Sequence, residues 1–349
     1  MKRLSNHLFD GINEAEAELF FHYLYSIPGN PEKEPSLRPR IISLYDPFAD
    51  RKTFPAGIRY CINVYTGCNH HCKYCYVVNY IRDPKLGRTK VHFKEKLIKD
   101  IEQIKAHELP PKPLHISNST DPLQGCLEKM HRHTFYVLET LVRYAQRFST
   151  ITILTKNPEM LLDPECDYLG IIRSLPNLQI EVSLIYWDDD KRQVFEPGAP
   201  SVDSRMRGIV GLRKAGVRVS LRIDPLMPRN PLPEEIFKGK RLADYGVLEA
   251  HSLKDIKCLI DFACDTGCQK IIHSAQKVPF GRYHDAAFKK MFEELYARLN
   301  NGINPIKRSF AFRLPDEYYR KCLLGPIHEY CAEKGIPHVE CKTNLITTE

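Results

Sequence analysis

The chain has 349 residues, 43% of them hydrophobic, which is enough for one large α/β barrel with extensions or two ordinary domains and too apolar for a disordered chain. No apolar run is long enough to span a bilayer, and the N-terminal Met1-Lys2-Arg3-Leu4-Ser5-Asn6-His7 leads into charged residues, so a cytoplasmic protein with no membrane partner is expected. The net charge of +8, from 51 basic and 43 acidic residues, permits an anionic partner such as nucleic acid without requiring one.

Residues 1–55 read as an N-terminal extension. A helix is predicted from Asn13, with Leu19, Phe20, Tyr23 and Leu24 on one face. Pro28, Pro31, Pro35 and Pro39 then break any helical run. From about residue 56 strands alternate with helices. Strands are predicted at 58–65, 113–117, 150–154, 178–184, 217–223 and 270–273. One helical stripe carries Leu97, Ile98, Ile101 and Ile104; another carries Val137, Leu138, Leu141, Val142 and Ala145. Further helices are expected near 202–215 and 253–266. Repeated βα units imply a parallel sheet with helical crossovers, as a barrel or an open part-barrel over residues 56–300. Residues 301–349 form a closing segment, with a helix and a strand at about 314–342.

The chain has twelve cysteines, and disulfides do not persist in the cytoplasm, so clustered cysteines there read as metal or redox groups. Three are clustered, in Gly67-Cys68-Asn69-His70-His71-Cys72-Lys73-Tyr74-Cys75-Tyr76. A single short loop with this spacing can wrap three corners of an iron–sulfur cubane and leave the fourth iron without a protein ligand. An open coordination position is what a chemically active metal site needs. The competing reading is zinc, with His70 or His71 as fourth ligand, in a non-catalytic nucleic-acid-binding module. Zinc fingers usually supply ligands as two separated pairs, and no second pair is evident. The loop also follows the first strand of the βα series, where barrel active sites gather.

Cys-x3-Cys-x2-Cys with an aromatic residue before the third cysteine resembles the radical S-adenosylmethionine (SAM) superfamily. The segment from Asn63 to Tyr76 resembles the branch that includes spore photoproduct lyase, a DNA-repair enzyme. The likeness continues through Ser117-Asn118-Ser119-Thr120-Asp121-Pro122-Leu123-Gln124, Leu154-Thr155-Lys156 and Glu181-Val182-Ser183. It includes Phe195-Glu196-Pro197-Gly198-Ala199-Pro200 with Arg205, and Arg222-Ile223-Asp224-Pro225-Leu226-Met227-Pro228, and covers about residues 58–275. The resemblance implies a partial (β/α)6 barrel with a [4Fe–4S] cluster on Cys68, Cys72 and Cys75 and SAM across the strand ends. It implies reductive cleavage of SAM, hydrogen abstraction from a substrate and an electron donor such as ferredoxin or flavodoxin. Tyr74 would lie against the adenine, and Thr120, Asp121, Lys156, Ser183 and Arg222 would bind SAM. The substrate would be a DNA photolesion; RNA, a peptide or a metabolite are the alternatives. In the lyase a cysteine near the end of strand two returns hydrogen to the substrate radical. Asn118 stands at that position here and has no weak X–H bond to give. Cys126, eight residues on, could substitute only if the loop folds back. Tyr74 and Tyr76 match positions associated with hydrogen relay, which makes Tyr76 a catalytic candidate.

Elsewhere, Cys258, Cys264 and Cys268, and likewise Cys322, Cys331 and Cys341, lack the spacing of a second cluster and read as buried thiols. His131 and His133 read as solvated or capping residues. Arg282, Tyr283 and His284 follow the sixth strand and are candidates for substrate contact. Lys307-Arg308-Ser309-Phe310-Ala311-Phe312-Arg313 reads as an amphipathic strand rather than a base-stacking strip.

Overall fold

The alternating apolar segments form one eight-stranded sheet. In the computed structural model the described residues are 12–26, 29, 32–33, 36–45, 58–79, 81–275, 277–279, 286–299 and 311–341. The strands in chain order are β1 (Ile42–Tyr45), β2 (Arg59–Ile62), β3 (Lys112–Ile116), β4 (Phe148–Thr155), β5 (Leu178–Ser183), β6 (Val219–Leu226), β7 (Ile271–Ala275) and β8 (His338–Glu340). Each pairs with its neighbour in chain order, and all pairs are parallel except β1–β2. Helices connect the parallel strands, as such crossovers require. The six strands β2–β7 are a partial (β/α)6 barrel; β1 and β8 are its two edges and do not pair with each other.

Period-two alternation sorts the side chains into two environments. Tyr60, Ile62, Leu114, Ile116, Ile151, Ile153, Ile180, Val182, Val219 and Leu221 are buried in the apolar core under the helices. The other face, which lines the barrel, is polar. In register across it stand Cys61, His115, Thr152 and Gln179, with Glu181 beside Ser220 and Ser183 beside Arg222. Several of these groups are paired: Gln179 Nε2 donates to Thr152 Oγ1 at 2.9 Å, and Arg59 Nη1 lies 2.9 Å from His115 Nε2.

Three details differ from the periodicity reading. Ile98 and Val142 are 37% and 40% exposed, at the margins of their helical stripes rather than in the core. The first strand ends at Ile62 rather than near residue 65, because the next residues turn to pair Thr66 with Arg88. The N-terminal extension is not separate from the sheet, since β1 lies within it. The helix Glu14–Leu24 forms as expected, capped by Asn13 Oδ1, which accepts from the Glu16 N–H at 2.8 Å. At the other end the helix Gly325–Glu333 leads into β8 on the β7 edge. Ala311–Arg313 is a strand of a small three-stranded sheet, between Lys277–Pro279 and Ala297–Leu299; Lys307 to Phe310 lie outside the described residues. No helix among the described residues is long and apolar enough to cross a membrane.

The β1 edge is held by one buried carboxylate. Asp100, on the helix Phe93–Ala106, accepts from the Ile41 and Ile42 N–H groups at 2.6 and 2.9 Å and from Arg40 Nη1 at 3.0 Å. Tyr23 Oη donates to the Ile42 carbonyl at 2.8 Å. Removing the carboxylate leaves the Arg40 charge without its counter-ion and two buried N–H groups unmatched. Asp100→Ala should therefore cost about 3 kcal/mol in urea unfolding; a loss well under 1 kcal/mol would mean that β1 is held by packing alone.

Candidate active site

The cysteine loop leaves the C-terminal end of β2 and is clamped by backbone contacts from three other segments. Gly67 has φ +74°, a left-handed conformation that suits glycine, and a Cβ there would stand 2.1 Å from the Leu86 carbonyl oxygen. Thr120 Oγ1 and Gln124 Nε2 donate to the Gly67 carbonyl at 2.7 and 3.2 Å. Gln124 Oε1 accepts from the Asn69 N–H at 2.9 Å. On another side, the Lys73 N–H donates to the Phe195 carbonyl at 2.9 Å and the Gly198 N–H to the His70 carbonyl at 3.0 Å. A Cβ on Gly198 would meet the Asn69 oxygen at 2.1 Å, so the Pro197-Gly198 turn approaches as only glycine allows.

Cys68, Cys72 and Cys75 are free, half-buried thiols. Burial pushes the Cys68 thiol up to about 12, with Asp121 adding to it; burial raises Cys72 and Cys75 as well. The loop thus presents neutral thiols that give up protons only to a metal.

Beneath the loop lies a buried charge cluster. Glu196, fully buried, receives Arg205 Nη2 at 2.5 Å, Lys156 Nζ at 2.9 Å and the Tyr74 hydroxyl. Lys156 Nζ also donates to Ser183 Oγ at 2.6 Å, and Arg205 Nη1 to the Ser183 carbonyl at 3.0 Å. Burial alone would raise the Glu196 carboxyl. The charges of Arg205 and Lys156 outweigh it and hold the group at about 2.

The site residues expected from the sequence fall into three groups. Tyr74, Lys156 and Ser183 meet at Glu196 and the loop. Tyr74 is buried and turns its hydroxyl inward to Glu196, a contact that the expectation of an adenine-facing ring did not include. Thr120 and Asp121 are spent on protein groups. Asp121 accepts from the Leu123 N–H at 2.9 Å, Thr155 Oγ1 at 2.8 Å and the Lys156 N–H at 2.7 Å, so it positions the lysine. Arg222 is likewise engaged, with Glu181 at 2.8 Å and Asp224 at 2.6 Å. Its Nη2 also donates to Cys341 Sγ at 2.5 Å. Tyr76 is 41% exposed and donates to the Asn118 carbonyl. Asn118 Nδ2 donates to Cys61 Sγ at 3.3 Å. A thiol therefore does lie beside Asn118, from the neighbouring strand, whereas Cys126 is exposed on the helix Gly125–His131. Arg282, Tyr283 and His284 lie outside the described residues.

A sequence model of the radical SAM superfamily matches residues 62–236. The chain belongs to the radical SAM superfamily. Members of this superfamily are enzymes that bind a [4Fe–4S] cluster and SAM. An uncharacterised protein of Methanocaldococcus jannaschii is 25% identical over 174 residues, covering 49% of this chain and 62% of that protein. The chain therefore spans less than two thirds of that relative. A spore photoproduct lyase variant with bound AdoMet and dinucleoside spore photoproduct superposes with a TM-score of 0.56 at 13% identity, over 80% of this chain and 75% of that one. SuiB of Streptococcus suis bound to S-adenosylmethionine gives 0.50 at 10% identity, over 80% of this chain and 49% of that one. At these identities the likeness establishes the fold.

In this radical SAM chain the two histidines of the cysteine loop, which a zinc reading would need as fourth ligand, are both engaged by protein groups. His71 Nε2 is engaged by the Lys85 carbonyl at 2.8 Å, and His70 Nδ1 faces Asp121 at 3.6 Å. Among the described residues, no group of three or more Cys, His, Asp or Glu side chains is already gathered as a metal site.

Glu196 and Arg205 lie in a segment of family likeness, and their positions in the sequence assign them no role. Their signal was one acidic residue in an apolar, proline-flanked segment and an arginine nine positions on. Because the folded value lies below the ordinary 4.5, the Glu196 charge stabilises the fold above about pH 4.5, and this contribution drains away as pH falls toward about 2. Glu196→Gln should cost on the order of 3 kcal/mol at pH 7 and progressively less toward pH 3 in urea unfolding. An equal cost at both pH values would show that the carboxylate charge is not what matters.

Proposed function

We propose that this enzyme holds a [4Fe–4S] cluster on Cys68, Cys72 and Cys75, cleaves SAM reductively and abstracts a hydrogen atom from a substrate at the barrel mouth. The observation that carries this reading is the three-thiol loop seated on the buried Lys156–Glu196–Arg205 cluster. When bound, the cluster and SAM supply the electron and the 5′-deoxyadenosyl radical; the protein supplies binding, orientation and exclusion of water.

The chain's own residues are suited to those tasks. Lys156 Nζ has three N–H donors and gives one each to Ser183 and Glu196, which leaves one for a ligand carboxylate. An incoming carboxylate would meet this remaining Lys156 donor as a charge-assisted hydrogen bond. Asp121 keeps the lysine's backbone in place. Tyr74, Tyr186 and Phe195 are buried aromatic rings around Glu196, and Tyr186 stacks on Phe195 at 5.4 Å, a wall that excludes water. Thiols held neutral by burial must release protons to bind iron, so cluster assembly is favoured by rising pH.

For the substrate we assign a thymine lesion in DNA, as in the lyase that the fold resembles, with SAM acting in a lyase-type repair reaction. The net charge of +8 suits a polyanion. A lesion in a duplex would be flipped out to reach the barrel. Tyr76 and Asn118, joined by a hydrogen bond and next to the Cys61 thiol, line its approach.

Anaerobic reconstitution with iron and sulfide tests the cluster. Reduced protein should convert SAM to 5′-deoxyadenosine, and Cys72→Ala should lose the cluster absorbance and SAM cleavage together. Substantial cleavage by that variant, or colourless protein retaining one tightly bound zinc, would overturn the ligand assignment. The substrate is tested separately: an oligonucleotide carrying a spore-type thymine lesion should revert to paired thymines under the same conditions. Active SAM cleavage without reversion would remove the DNA substrate and leave the enzyme class standing.

A further inference from the structure

The turn at residues 82–88 lies directly against the cysteine loop. The Cys68 N–H donates to the Pro84 carbonyl at 2.9 Å, and Thr66 and Arg88 exchange both backbone bonds at 2.9 and 2.8 Å. His71 Nε2 meets the Lys85 carbonyl at 2.8 Å, and the Leu86 carbonyl fills the space where Gly67 lacks a Cβ. The turn is thus in register with two of the three proposed ligand positions, Cys68 directly and Cys72 through its neighbour His71.

Its outward side is cationic around an apolar centre. The Arg82 side chain is 91% exposed and that of Arg88 36%, and Lys85 is exposed. Asp83, 3.6 Å from both arginines, is the one carboxylate of the turn. Leu86 is 57% exposed and Val91 72%. Further along, Lys94 lies over the Tyr136 ring at 4.6 Å and Lys90 is half-buried; on the turn, Lys85 is exposed outside the Asp83 pairs and the two arginines outnumber Asp83. Exposed apolar residues beside a net positive charge, here three cations against one carboxylate, are the anatomy of a transient, electrostatically steered protein interface.

We infer that the 82–88 turn is the docking surface for an acidic one-electron donor protein of the flavodoxin or ferredoxin class. This rests on the reading that the cysteine loop holds a cluster. One electron passes from the reduced donor to the cluster, the donor is oxidised by one electron, and no bond or proton moves in that transfer. A protein partner is favoured over nucleic acid because the turn offers apolar Leu86 and no aromatic ring for stacking. It also contacts the ligand loop rather than the polar barrel face on which a substrate would act.

The test is charge reversal with two reductants. The double variant Arg82→Glu/Lys85→Glu should bind flavodoxin about tenfold more weakly in low-salt calorimetry and take electrons from flavodoxin hydroquinone about tenfold more slowly. Dithionite, which needs no docking surface, should reduce its cluster at the unaltered rate. Asp83→Lys should shift binding the other way, and high salt should erase the differences. Wild-type binding and reduction by flavodoxin in the double variant would overturn the assignment. So would unchanged flavodoxin binding together with loss of binding to a DNA duplex, which would make the turn a polyanion contact. Failure of the wild-type chain to assemble a cluster would instead strike the reading beneath, and binding of flavodoxin to the cluster-free chain would still decide the surface.

Discussion

One buried carboxylate organises the site. Glu196 is out of contact with solvent, yet it is charged because Arg205 and Lys156 both reach it. A buried ion pair of this kind is costly to desolvate and strongly destabilising to break. Its value here is positional. Glu196 belongs to the segment before the helix Val202–Lys214, Lys156 to the end of β4, Ser183 to the end of β5, and Tyr74 to the cysteine loop. A single group therefore ties four parts of the barrel mouth to one point, and a change in any of them is felt by the others.

The cysteine loop obeys a second constraint, close approach. Two glycines, Gly67 and Gly198, let the carbonyls of Leu86 and Asn69 come within the volume a side chain would occupy. Gln124 reinforces this by donating to one loop carbonyl and accepting from one loop N–H. A loop held at its backbone in this way can present three thiols in one orientation while the thiols themselves remain free of protein ligands. That combination is what a metal cofactor with an open position requires.

The barrel interior adds a third element. Much of its polar face is paired internally, with Arg222 shared by Glu181 and Asp224 and Asn118 hydrogen-bonded to Cys61, while the buried Ser220 hydroxyl has no partner among the described residues. Residues that look available for a ligand in the linear sequence are already committed here. Arg222 and Thr120, expected from their positions as cofactor contacts, bond to neighbouring protein groups here, while Lys156 retains a donor.

Much of the fold was legible in the sequence because side-chain alternation is a local signal. Six strands, their helices and the parallel order followed from period two, period 3.6 and the length of the crossovers, and the three cysteines announced themselves by spacing. What the chain could not reveal locally depends on distant segments meeting. β1 is four residues in a proline-broken stretch, and it becomes a strand because the β2 edge and Asp100 offer partners. Glu196 is an ordinary acidic residue until Arg205, Lys156 and Tyr74 close over it. Cys61 becomes the thiol beside Asn118 only when two strands lie side by side. Composition, periodicity and spacing thus determined the class of fold and the thiol loop, since these reside within a few neighbouring residues. The tertiary structure alone decided which charges pair and which donors stay free, because burial and partnership belong to contacts between segments far apart in the chain.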